Sequence, residues 1–324
     1  MKYCNQPFIH AEISSNGVVR LCCGSWHPKV VGNINQNVLE EIWTNEESKK
    51  VRKSIDDQSY KYCKLDICPA VFQSTPIKVD TKLPKILKFS FDDSCNLECP
   101  SCRTHKIQYS RGTKEYENTT AILNSIKHSY YTHGKYQNAT FVVTGSGDTF
   151  GSDAFRHFLY DFDGTRLPLL KFVFLTNGVM LTEKVVNKIK SIHRNITRIV
   201  ISVDASSEKT YNNIRKGGNF VQLKKNIEYL HNCKELSHVQ FCYSFVVQNS
   251  NYKEMNTFID WITSYNRATV RFTRILPWSN TAMDFDYENI FSKNHPNYSN
   301  FKDIIKQIKG RSKIDFHNLQ LANI

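Results

Sequence analysis

Three cysteines, Cys95, Cys99 and Cys102, stand at C-x3-C-x2-C just past the apolar run Ile86-Leu87-Lys88-Phe89-Ser90-Phe91, which reads as a buried strand. That spacing bends a loop around one small metal centre and brings three thiolates to it. A closed structural site needs four ligands, as the usual zinc sets have, and no local fourth is in view. Three thiolates leave one metal position open, and an open position is where chemistry happens. The same residues also read as half of a zinc site or as buried thiols. A second set lies upstream: Cys4 and Cys22, then Cys63 and Cys68 at C-x4-C, four thiols in two groups that could close around another metal centre. Cys23 is a neighbour able to substitute for Cys22.

The elements that must position these residues follow from pattern. Residues 1–80 form a first unit. Runs at 8–13 and 18–22 flank Asn16-Gly17, the strongest short hairpin signal, and a helix is predicted over 38–55 with Leu39, Ile42, Trp43, Val51 and Ile55 as its apolar side. Residues 73–84, with two prolines and no apolar period, read as a linker. From Lys85 strands and helices alternate, with strands beginning near Ile86, Ala139, Lys171, Ile196, Val239 and Thr269. Amphipathic helices are predicted over 182–192, 220–230 and 251–262, the last with Asn251 and Glu254 placed like a capping box. This is an α/β pattern: a partial (β/α)6 TIM-like barrel over 85–280, preceded by a small α+β module of β-hairpin plus helix. A C-terminal extension over 281–324 carries one helical stretch at 301–308.

In such a barrel the site gathers at the C-terminal ends of the strands. The polar motifs fall there. The cysteine loop follows the first strand, Gly145-Ser146-Gly147-Asp148 the second and Thr176-Asn177-Gly178 the third, while Ser202-Val203-Asp204 ends the fourth. A strand ending in glycine and one carboxylate suits close backbone approach to a ligand with an ammonium group. A Ser and an Asp at a strand end suit a ribose.

The cysteine loop resembles the signature of radical S-adenosylmethionine (radical SAM) enzymes. The resemblance implies that Cys95, Cys99 and Cys102 hold three irons of a 4Fe–4S cluster whose fourth iron chelates S-adenosylmethionine (SAM). Gly145 to Asp148 stands where the family has a Gly-Gly-Glu segment for the SAM amino group, with Ser146 and Asp148 as departures. Ser202 and Asp204 resemble ribose contacts, Asn177 lies in the family's strand-three turn, and Arg215 resembles an arginine beside the SAM site in peptide-modifying relatives. Residues 3–68 resemble the SPASM auxiliary-cluster module in its shortened twitch form. That makes Cys4, Cys22, Cys63 and Cys68 ligands of a second 4Fe–4S cluster, although in the common arrangement the module follows the barrel. The implied function is reductive cleavage of SAM to a 5′-deoxyadenosyl radical that abstracts hydrogen from a substrate, first a peptide or protein, alternatively a nucleotide or sugar. The implied partner is an external one-electron donor such as flavodoxin or ferredoxin. Cys242 reads as a hydrogen donor to a substrate radical if it faces the barrel interior, and more plainly as a core thiol.

Composition constrains partners less. The chain has 324 residues and ten cysteines, 40% hydrophobic and 12% aromatic residues, and a formal charge of +13 from 43 Lys and Arg against 30 Asp and Glu. The basic residues are spread, so a solvated surface is expected rather than a nucleic-acid site. Clustered cysteines without an export signal or an apolar span read as metal ligands in a cytoplasmic protein with no membrane attachment. A reading from another class is a zinc-binding nucleic-acid protein, built on two cysteine clusters and the positive charge.

Overall fold

A computed structural model describes residues 3–66, 68, 79, 81–135, 137–144, 146–277 and 281–319. The chain forms two compact units, neither continuous in sequence. The first comprises Met1–Ser94, Tyr109–Phe174 and Ile189–Ile196, and the second Cys95–Gln108, Leu175–Lys188 and Thr197–Ile324. This division cuts across the expected boundary at residues 81–84. Residues 73–78 and 80 of the expected linker lie outside the described residues.

In the first unit a short helix α1 (Gln6–Ile9) leads into β1 (His10–Ser14), which pairs antiparallel with β2 (Val18–Arg20). The turn needs left-handed backbone at Asn16 and Gly17, with φ of 61° and 77°, which an Asn-Gly pair adopts with little strain. A two-residue β3 (Gly32–Asn33) pairs with β2. The single helix expected over 38–55 is two, α2 (Leu39–Thr44) and α3 (Glu46–Asp56). Asn45 breaks it: its backbone is extended and its side chain accepts from Ser48 N at 2.9 Å, capping α3. The apolar side nonetheless runs through both helices, because Leu39, Ile42, Trp43, Val51 and Ile55 are all buried.

The larger surprise is β1. It pairs in parallel with β4 (Ile86–Ser90) from His10↔Ile86 through Ser14↔Ser90, so the hairpin continues the sheet rather than standing apart. After β4 come α4 (Lys114–His133), β5 (Thr140–Val143), α5 (Asp153–Asp161) and β6 (Lys171–Thr176). The strand order within this unit is β3-β2-β1-β4-β5-β6. Its core is aromatic: Phe141 lies 5.1 Å from Phe89, 5.6 Å from Phe172 and 4.6 Å from Tyr130, ring centre to ring centre. Tyr130 and Phe172 meet Phe141 edge to face and Phe89 meets it tilted, which gives one helix-facing side of three parallel strands a common filling.

The second unit holds α6 (Glu183–Lys188), β7 (Ile196–Ser202), α7 (Glu208–Ile214), α8 (Phe220–Asn232), β8 (Gln240–Val247), α9 (Met255–Thr263) and β9 (Ala268–Arg274). There follow α10 (Phe285–Glu288), α11 (Tyr298–Ile308) and β10 (Ile314–Asp315), which pairs parallel with β9. The order is β7-β8-β9-β10. β4 to β9, each followed or preceded by a helix, are the six strands read from the sequence and make this a mixed α/β fold of partial TIM-like type. The capping box at Asn251 does not form. Asn251 instead donates to Asp204 O and Val246 O, and Glu254 accepts from Ser206 and Ser207, so both residues brace the loop after β7. Among the described residues no helix is long and apolar enough to cross a membrane.

Buried His10 and half-buried His231 make the fold acid-sensitive. Burial pushes His10 and His231 down to about 4, with Lys88 adding to the effect on the first and Arg267 on the second. A folded value below the unfolded one of about 6.5 means that the unfolded chain binds more protons in between. Stability is therefore full above about pH 6.5 and falls as pH drops toward 4. Thermal melts across that window should show a falling Tm, flattened in His231→Gln; an unchanged slope in that variant would refute the assignment.

Candidate functional site

The cysteine loop belongs to the second unit and is held by its own backbone. Cys95 N donates to Ile107 O at 2.8 Å, and Cys102 N and Arg103 N both donate to Cys99 O. Glu98 ties the loop to the end of α7 twice, through its N–H to Lys216 O at 3.0 Å and its carboxylate to Lys216 Nζ at 2.9 Å. Leu97 packs between buried Cys95 and Cys99, while Cys102 is exposed.

Polar groups are aimed at these sulfurs. Asn177, just beyond β6, donates to Asn96 Oδ1 at 2.9 Å and lies 3.8 Å from Cys95 Sγ. Arg215, just beyond α7, brings Nη1 to 3.8 Å from Cys99 Sγ and pairs Nη2 with Asp204 Oδ2 at 2.7 Å. Burial pushes the Cys99 thiol up, and Arg215 works against that shift. Burial also opposes the charge on Arg215, but Asp204 and Cys99 outweigh it and keep the guanidinium charged. Arg103 is buried beside Cys102, whose hydrogen bond raises it against the pull of burial. Arg215 thus works toward the thiolate of Cys99, the form that binds iron, against the burial that holds the thiol up. Arg103 carried no signal in the sequence beyond following a cysteine.

Asp204 sits with φ of 65° at a turn, and its carboxylate is spoken for on both sides: Oδ1 accepts from Val246 N at 2.7 Å and Oδ2 faces Arg215. Ser202 ends β7 in register with Ser244. Cys242 is 1% exposed, in register with Val200 and Thr269, on the β8 face it shares with Ser244 and opposite that of Phe241 and Tyr243.

In the first unit the segment after β5 lies against the residues that precede Cys95. Gly145 lies outside the described residues. Ser146 is exposed. Gly147 approaches Ser94 so closely that a Cβ there would stand 2.2 Å from Ser94 O, and only glycine fits. Asp148 N donates to Ser94 O at 2.8 Å, and its carboxylate accepts from Phe150 N and Gly151 N, building its own turn.

The other four cysteines meet in the first unit. Cys4, Cys22, Cys63 and Cys68 line one cavity together with Pro7, Trp26, His27 and Tyr60; Cys23 does not line it. Tyr3, Phe8, Ile55 and Tyr60 pack behind Cys4 and Cys63. The loop carrying Cys22 is pinned because Gly24 N donates to Glu12 Oε2 at 3.0 Å, and Glu12 in turn meets Lys88 at 2.9 Å and Ser90 at 2.7 Å on β4. Burial pushes Cys22 up to about 12 and Cys63 up to about 11, with neighbouring thiols adding to both. Among the described residues no group of three or more His, Cys, Asp or Glu is spaced to hold a single metal ion. A cluster takes one thiolate per iron around a cavity, and four thiols around one cavity fit that demand.

Comparison with known proteins agrees with this chemistry. An iron–sulfur cluster-binding domain, SPASM, matches residues 4–69, and the radical SAM superfamily model matches residues 90–262. No curated protein matches. Among solved structures the chain is similar to Streptococcus suis SuiB bound to S-adenosylmethionine, at 14% identity and a TM-score of 0.49, over 84% of this chain and 55% of that one. It is also similar to native anSMEcpe with bound AdoMet, at 18% identity and a TM-score of 0.46, over 68% of this chain and 59% of that one. The chain thus spans somewhat more than half the length of these two relatives. The matched models bring an iron–sulfur domain where the alternative reading needs zinc, and with it a 4Fe–4S cluster, SAM and an auxiliary cluster. With more than half of its residues matched by that one model, the chain belongs to the radical SAM superfamily.

Proposed function

We propose that this chain is a radical SAM enzyme that modifies a peptide or protein. The observation that carries it is the cysteine loop itself: three thiols with Arg215 and Asn177 each 3.8 Å from a sulfur, inside the matched domain. Cys95, Cys99 and Cys102 would hold the first cluster, and Cys4, Cys22, Cys63 and Cys68 the auxiliary one. Reductive cleavage of SAM at the first cluster supplies a 5′-deoxyadenosyl radical able to take hydrogen from an unactivated carbon. The protein's part is to orient and to exclude water. Gly147 lets the backbone after β5 approach closely, and the segment of Gly145, Ser146 and Asp148 is assigned to the SAM amino group. Ser202 is assigned to the ribose; Asp204 contributes by fixing Arg215. An external one-electron donor of the flavodoxin or ferredoxin kind supplies the electron.

The peptide assignment is supported by the SPASM module, a layout whose resemblance points to peptide or protein substrates. Anaerobically reconstituted protein given dithionite and SAM should form 5′-deoxyadenosine, and peptides should raise the yield where nucleotides and sugars do not. Cys63→Ala should keep cleavage without substrate and lose product formation. Stimulation by a nucleotide or sugar alone would overturn the substrate class, and absence of 5′-deoxyadenosine from iron-replete protein would overturn the reaction.

A further inference from the structure

His27 shares the cavity of Cys4, Cys22, Cys63 and Cys68 and is 1% exposed. Both of its ring nitrogens are buried with no hydrogen-bond partner outside the residue itself. Its backbone is fixed in place. His27 N donates to Cys23 O at 2.9 Å, and Trp26 O accepts from Lys64 N at 2.8 Å, joining the loop of Cys22 to the turn of Cys63. A buried imidazole with neither nitrogen answered is unfavourable, so the cavity is shaped for a partner that is not a protein side chain. An imidazole has at least one N–H to give in either protonation state, and here no other residue receives it. Four thiols already provide one ligand for each iron of a 4Fe–4S cluster, which leaves the imidazole no iron to bind. What such a cluster still presents to the ring is sulfur, an acceptor.

We propose that His27 donates an N–H hydrogen bond to a sulfur of the auxiliary cluster and thereby holds its reduction potential up. The inference rests on the four cysteines being that cluster's ligands. The direction follows from charge. A donor at sulfur draws off negative charge, and the reduced cluster, being more negative, gains more from it than the oxidised one. His27 is a positioning residue for electron transfer and touches no substrate.

The test uses the full chain with Cys95, Cys99 and Cys102 replaced by Ala, so that only the auxiliary cluster is reconstituted. Iron is counted per chain, and the midpoint potential is followed by the EPR signal of the reduced cluster. His27→Leu should keep the iron and move the midpoint to a more negative potential; His27→Gln, which retains an N–H donor, should recover most of the shift. In the protein with His27 intact, 15N-labelled histidine should give a weak nuclear coupling in the EPR-detected spectrum. Iron retained with an unmoved potential overturns the inference and leaves the ligand set standing. A strong nitrogen coupling, or iron lost from both variants, overturns it in favour of direct ligation or a purely structural ring. No iron in the triple-Ala background removes the ligand set, and the inference with it.

Discussion

Cys99→Ala abolishes the formation of 5′-deoxyadenosine, with a fall of about a thousandfold or more, equivalent to about 4 kcal/mol or more of barrier. Cys99 is buried in the second unit, its backbone carbonyl accepts from two loop amides, and its sulfur is the one that Arg215 approaches. Ala keeps the backbone but leaves two thiols for a site that needs three, so loss of the first cluster rather than of the fold is the cause. Iron analysis should show the auxiliary cluster's iron still bound. Cys242→Ala is the contrast, since Cys242 is buried within β8 and is not one of the loop's three thiols. It should leave substrate-free cleavage of SAM unchanged, whatever it does to product. Cleavage that survives in Cys99→Ala, measured against the parent with the same iron content, would sink the assignment of the cluster to this loop.

The second large effect is thermodynamic. Asp204→Ala strips the carboxylate from Arg215 inside the second unit, and stranding one partner of a buried ion pair costs about 3–5 kcal/mol. Asp204 is 2% exposed, so solvent cannot take over its role. Ala at a left-handed φ of 65° adds strain to that loss. Replacing both partners, Asp204→Ala with Arg215→Met, should return most of the stability of the metal-free chain, because no charge is left unpaired. Iron retention by the first cluster should not return with it, since the cation beside Cys99 is gone. Chemical denaturation and iron content thus separate two jobs done by one guanidinium. A single variant that loses less than about 1 kcal/mol would mean the pair is surface-like in strength.

Local pattern carried much of this molecule. The cysteine spacing, the Asn16-Gly17 turn and the six strand starts were readable because each is a matter of neighbours in sequence. The four upstream cysteines were readable as a set, and they do line one cavity. What was not readable depends on distant partners. Asn251 and Glu254 have the spacing of a capping box, yet each found stronger partners around the β7 loop than the helix start offered. Asp204 looked like a free strand-end carboxylate because nothing local reveals that Arg215 folds back onto it. His27 carries no local signal for a related reason: a lone histidine between Trp26 and Pro28 has no periodicity, and only the cavity gives it meaning. Asn45 is the opposite case, a cap signal inside a helical stretch whose apolar side ran on through the break.

The parallel seam between β1 and β4 bears on how the chain is made. During synthesis residues 10–14 leave the ribosome long before residues 86–90, and until the latter emerge β1 has β2 on one side and nothing on the other. The nascent hairpin therefore carries an unsatisfied edge, the kind of surface that recruits the wrong strand. Five register pairs are then made at once when β4 arrives. Production of fragments should follow the same logic: a chain cut away before β4 begins with a bare strand and invites aggregation, so the cysteine module and the barrel are better expressed as one polypeptide than mixed as two.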